Sequence, residues 1–134
     1  MDKFWKQFKS GTDIRGVASE GVAGQKINLT DEVVEKISAG FVLWLSKKAN
    51  KPADQLIISV GHDSRISASR IQAAVTRALE PAGVTVYDCG LASTPSMFMT
   101  TVDLKCDGAV QITASHHPFN RNGLKFFTPD GGLE

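Results

Sequence analysis

The sequence predicts an α/β domain: a three-layer α/β/α sandwich around a mainly parallel, mixed sheet of about four strands. Three observations point there. QLIISV (residues 55 to 60) and GAVQIT (108 to 113) are short apolar runs of the kind found in strands covered on both faces. They alternate with stretches whose apolar residues return at helical spacing. Polar, glycine-containing segments follow the strands, where the functional loops of such sheets gather.

The elements follow in order. From Thr30, an N-cap residue with Asp31 and Glu32 behind it, the residues Val33, Val34, Ile37, Phe41, Trp44 and Leu45 return to one side of a helix. Lys47 and Lys48 suit the negative end of its dipole. Phe41, Trp44 and Leu45 are therefore expected in the core. QLIISV belongs in mid-sheet. Ile71, Ala74, Val75, Ala78 and Leu79 mark a second helix, closed by Pro81 and Gly83. VTVYDC reads as a strand, and STPSMFMTTVDL as a short helix capped by Ser93 or Thr94 with Pro95 at its first position. LKFF before PDGG is a strand running into a turn, and its adjacent Phe126 and Phe127 must face opposite sides. The two longest irregular segments, residues 16 to 29 and 113 to 123, are expected as loops.

The 134 residues suit one domain, and a net charge of +1 provides no basic field for nucleic acid, so any anion must be recognised locally. No segment has the length or apolarity of a signal peptide or membrane span, which indicates a cytoplasmic protein with no membrane partner. Cys89 and Cys106 lack CxxC spacing and read as unpaired thiols.

Three loops carry the candidate chemistry. TASHHPFNRNG, residues 113 to 123, sets Ser115 beside His116 and His117. No GxSxG elbow surrounds this serine, which disfavours an acyl-enzyme. The alternative is a phosphoryl carrier, whose roughly doubly negative group needs donors and cations nearby. Asn120, Asn122 and Lys125 offer amide donors and a fixed positive charge, and imidazole at His116 can carry a proton near neutral pH. GTDIRG, residues 11 to 16, is the second loop, where Arg15 supplies a planar fork for phosphate oxygens and the glycines allow close backbone approach. In GHDSR, residues 61 to 65, Asp63 and Arg65 read as braces between loops. A metal site of His62, His116 and His117 is disfavoured, since no ligand spacing is recognisable.

Together, TASHHP with the following NGLKFF, DIRG near the N-terminus, and GHDSR between them resemble the α-D-phosphohexomutases, the family of phosphoglucomutase and phosphomannomutase. The resemblance spans nearly the whole chain and corresponds to the first of four domains. Residues 1 to 134 are thus expected to form domain I, with no counterpart of domains II to IV. In that family Ser115 would be the phosphorylated active-site serine, and its phosphate would help bind Mg²⁺ beside aspartates of domain II. His116 and Lys125 match acid/base or electrostatic positions, and Arg15 matches an arginine lining the same pocket. Thr12, His117, Asn120 and Asn122 are the accompanying substrate- and phosphate-binding candidates. The implied reaction moves phosphate between C1 and C6 of a hexose phosphate through a bisphosphorylated sugar, with hexose 1,6-bisphosphate as activator and the remaining domains as partners. Without those domains the chain is expected to be inactive. The family usually has asparagine where this chain has His117. The alternative is a stand-alone phosphate-binding or interaction module with this fold and no catalysis, which restored activity on mixing with downstream domains would exclude.

Overall fold

The computed structural model describes residues 9–10, 13–18, 27–63, 67–113 and 121–132; for 9, 10, 13, 15, 17, 94, 95, 121, 131 and 132 it describes the backbone alone. In chain order the elements are β1 (Lys9–Ser10), β2 (Asp13–Val17), α1 (Asp31–Ala49), β3 (Ile57–His62), α2 (Ala68–Leu79), β4 (Thr85–Leu91), α3 (Thr94–Asp103), β5 (Gly108–Ile112), β6 (Arg121–Thr128) and β7 (Gly131–Gly132). The strands lie in the order β1-β2-β6-β5-β3-β4, with β7 on β6.

The expected four-stranded unit is β6-β5-β3-β4. Within it β3 runs parallel to both β4 and β5, and β6 returns antiparallel to β5. The four inner residues of β3 are all buried, as its apolar run requires of a strand covered on both faces. The sheet then continues beyond that unit, for DIRGV is a strand rather than a loop. β2 pairs antiparallel with β6 in the register Ile14↔Leu124, Arg15↔Gly123, Gly16↔Asn122 and Val17↔Arg121. The polar residues 121 to 123, expected as loop, are the first residues of β6. Both corrections have one cause: each segment is the other's ladder partner, and backbone pairing overrides the weak strand preference of Gly, Asn and Arg.

Alternation along the strands sorts the two faces. One bears Ile58, Val60, Val110, Ile112, Leu124 and Phe126, packed beneath α1 and α2 in the main core. The other bears Ala109 and Phe127, which with Met97 of α3 form a second, smaller core. Phe126 and Phe127 do face opposite ways, and both are buried within this chain. Two helices on one face and one on the other complete the three layers.

Local chemistry sets the helix ends. Thr30 caps α1 by accepting from Val33 N at 3.3 Å, and Ser93 caps α3 by accepting from Ser96 N at 3.2 Å. Ser93 being the cap, Pro95 takes the second position of α3 and not the first. α1 ends at Asn50, whose left-handed φ of 54° lets its N–H reach Lys47 O. Trp44 departs from expectation: Phe41 and Leu45 are core, whereas Trp44 is 41% exposed. It stands at the rim of the apolar stripe, its ring stacked on Phe41 and covered outside by Lys48 Nζ at 5.6 Å from the ring centre. A rim position suits an indole, whose N–H then stays near water. At the edge of the sheet where the parallel strands begin, Asp107 accepts from Lys51 Nζ and from Ile57 N, each at 2.8 Å, locking β3 to β5.

Gly40 sits in the middle of α1, exposed, and a Cβ built on it meets nothing within 4 Å. Gly40→Ala should therefore stabilise the fold by about 1 kcal/mol, because only the conformational freedom of the unfolded chain changes. A denaturant midpoint that rises at unchanged m-value would confirm it.

Candidate functional site

The carboxyl ends of β3, β4 and β5 share one edge of the sheet because those strands are parallel. Antiparallel pairing brings the start of β6 and the end of β2 to the same edge. Five chain segments thus converge where the sequence places its polar loops, as open α/β sheets dictate.

Thr113, the first residue after β5, is the junction. Its N–H donates to Gly123 O of β6 at 3.0 Å, and its Oγ1 donates to Asp63 Oδ2, just past β3, at 2.9 Å. Asp63 N in turn donates to Ile112 O at 3.1 Å. Asp63 is thus the brace expected of it. Since Arg15 pairs with Gly123, the backbone positions of Arg15, Gly123 and Thr113 form one row across three strands. Lys125 lies two residues along from Gly123, so alternation puts it on the same face, where it pairs with Gln111 of β5 and is half-buried.

Asn122 is wholly buried. Its Nδ2 donates to Ser67 Oγ at 2.9 Å and its Oδ1 accepts from Gly123 N at 2.9 Å. One amide thereby joins the start of β6 to the residue preceding α2. Ser115, His116, His117 and Asn120, together with Thr12 and Arg65, lie outside the described residues. Arg15 is placed by its backbone alone.

A second brace holds the β4–α3 junction. Gln111 Nε2 donates to Ala92 O at 2.7 Å, and Ala92 N donates to His62 O at 2.9 Å. The amide fits because Gly61 has no side chain: a Cβ there would stand 2.5 Å from Met97 Sδ and 3.0 Å from Gln111 Oε1. Gln111 Oε1 is buried without a hydrogen-bond partner among the described residues. His62 Nδ1 lies 2.7 Å from Asp63 O. Sequence reasoning missed Gln111 and Ser67 because both lie inside or beside regular elements, where a polar residue carries no local signal of its partner.

Neither free thiol is activated. Burial, and then the neighbouring Asp88 carboxylate, push the Cys89 thiol up. Burial also raises Cys106, opposed by a hydrogen bond with Ser59 and reinforced by Cys89 and Asp107. A nucleophilic cysteine needs the opposite environment. Among the described residues no group of three His, Cys, Asp or Glu side chains is placed to hold a metal ion. Among them, too, no helix is long and apolar enough to cross a membrane.

Sheet order, helix layers and the junction at Thr113 define an α/β/α domain with its polar segments gathered at one edge, and comparison with known proteins shows its family. The description "Phosphoglucomutase/phosphomannomutase, alpha/beta/alpha domain I" matches residues 6–133. The chain belongs to that family, as its domain I. It is 37% identical over 134 residues to phosphoglucosamine mutase of Oceanobacillus iheyensis, covering 98% of this chain and 26% of the relative. With phosphoglucosamine mutase of Campylobacter fetus subsp. fetus it shares 36% over 121 residues, 90% of this chain and 25% of the relative. Among solved structures, a putative phosphomannomutase from Thermus thermophilus superposes with a TM-score of 0.75 at 25% identity, over 95% of this chain and 27% of that one. The chain thus spans about a quarter of the length of the relatives it matches.

Thr113→Val keeps the shape of the side chain and removes its hydroxyl, leaving Asp63 Oδ2 without that donor. The expected loss is about 1–3 kcal/mol in chemical denaturation, as for a hydrogen bond to a charged acceptor, with Thr113→Ser much closer to wild type. Equal stability of the valine variant and wild type would show that the junction does not depend on this bond.

Proposed function

We propose that this domain supplies the phosphoserine of a hexose-phosphate mutase, and that the sugar is a glucosamine phosphate. The observation that carries the reading is the Thr113 junction: it fixes the origin of the segment bearing Ser115, two residues on, in the row that contains Arg15 and on the face that contains Lys125. The choice of sugar follows the relatives, which are phosphoglucosamine mutases at 36–37% identity.

In this reading Ser115 carries the phosphoryl group. Its O–P bond breaks as a sugar hydroxyl is phosphorylated and loses its proton, the bisphosphorylated sugar turns over, and the second phosphate returns to Ser115. His116 serves as proton carrier. Lys125 and Arg15 offset charge on the phosphoryl oxygens, the guanidinium through its paired donors. Thr12, His117 and Asn120 supply further donors to the phosphate. Asn122 is assigned as a brace, since its amide is already engaged with Ser67 and Gly123. Mg²⁺, when bound, would spread charge on the transferring group, with carboxylates drawn from outside these residues. Hexose 1,6-bisphosphate would prime the serine. Catalysis would require the further domains that the longer relatives contain. Free thiols and a phosphorylated substrate suit the cytoplasm.

Glucosamine 1,6-bisphosphate added to the complete polypeptide should phosphorylate Ser115, mapped by peptide mass spectrometry, and Ser115→Ala should abolish the label. A label of the same extent in Ser115→Ala would exclude the serine as carrier. Faster priming by glucose 1,6-bisphosphate would reassign the sugar.

A further inference from the structure

Arg70 occupies the first turn of α2, where a cation opposes the helix dipole. Its contacts account for that placement. Nη2 donates to Ala18 O at 2.8 Å and to Leu29 O at 3.0 Å, while Nη1 meets Asp31 Oδ1 at 2.5 Å. Ala18 directly follows β2 and Leu29 directly precedes the cap of α1; both are buried. One guanidinium nitrogen therefore holds the two chain ends that flank residues 19 to 28. Joining α1 to α2 does not by itself require this arrangement. Arg77 already spans the two helices, through Nη2 to Asp31 Oδ2 at 3.3 Å and Nε to Glu35 Oε1 at 3.4 Å. What Arg70 adds is the pair of carbonyls.

We propose that Arg70 is a positioning residue of the mutase site, clamping the end of β2 so that Arg15, three residues before Ala18, keeps its register against Gly123. β2 is five residues long, and on its other side it pairs only with the two-residue β1 among the described residues. So short a strand near a sheet edge frays at low cost unless its end is held. The guanidinium suits the task because its planar fork serves a carboxylate and two carbonyls at once, which a lysine ammonium cannot reproduce in that geometry.

This inference rests on Arg15 acting at the site, and its test separates the two ideas. Amide hydrogen exchange is followed by mass spectrometry in the complete polypeptide carrying Arg70→Ala, Arg70→Lys or Asp31→Asn. Both Arg70 variants should speed exchange in residues 13–18 by about tenfold or more while leaving β3 and β5 unchanged, as expected for local opening. Asp31→Asn keeps both carbonyl contacts and should leave β2 within about twofold of wild type. Should Arg70→Ala fail to fold, Arg70→Lys decides alone. In mutase assays the Arg15→Ala/Arg70→Ala double variant should be no slower than Arg15→Ala, because the two act through one strand. Wild-type exchange in β2 of the Arg70 variants, or losses that multiply in the double variant, would overturn the clamp. If Ser115 is never labelled, the functional reading fails, and the exchange comparison still decides the role of Arg70.

Discussion

The antiparallel insertion of β6 between β5 and β2 is the constraint on which the rest depends. The three parallel strands carry their ends to one edge, but parallel pairing alone would leave residues 13 to 17 without a place in the sheet. β6 turns the chain back, and its outer ladder accepts β2 with Arg15 opposite Gly123. A slip of one residue in either ladder would move Leu124 and Phe126 out of the main core and bring Lys125 into it. The burial of those apolar side chains therefore fixes the register that lines up the polar ones.

The two faces of the sheet are built differently. Under α1 and α2 the contact is apolar and broad. Under α3 it mixes a small apolar cluster with a polar one, in which Ser59 Oγ and Thr101 Oγ1 lie 3.1 Å apart and Thr101 Oγ1 donates to Met97 O at 2.8 Å. Hydroxyls bonded in this way remove the cost of burying them and orient α3 on the sheet. The brace from Gln111 to Ala92 continues the same polar line to the candidate site.

Much of this was legible from residue order. The helices at 31–49 and 68–79 and the strands at 57–62 and 108–112 declare themselves through periodicity and uninterrupted apolar runs, because burial acts on each of them locally. β2 did not, because Asp13 and Gly16 break up the strand signal of Ile14 and Val17, and the ladder partner that completes it lies more than a hundred positions away. Trp44 misled because the helical stripe is wide, and spacing alone does not separate its centre from its rim. At the site, Asp63 could be read as a brace from its place after a buried strand. Asn122 looked like a ligand donor because NRNG resembles a loop; the strand that buries it exists only through pairing. Arg70 had one visible sign, a positive charge at the wrong end of a helix, but its carbonyl partners sit 41 and 52 residues away in sequence.

On the side away from β2, β4 forms the sheet's border beside β3. Cys89 is an extra residue there: Asp88 pairs with Val60 and Gly90 with Gly61. Asp88 Oδ1 accepts from Gly90 N at 2.8 Å, and Gly90 takes φ of 62°. Such a kink, pinned by a carboxylate, spoils the flat row of amides that another chain would need to zip onto this border. Tyr87 and Leu91 stand exposed on either side of it, and the distortion works against strand addition along that apolar margin.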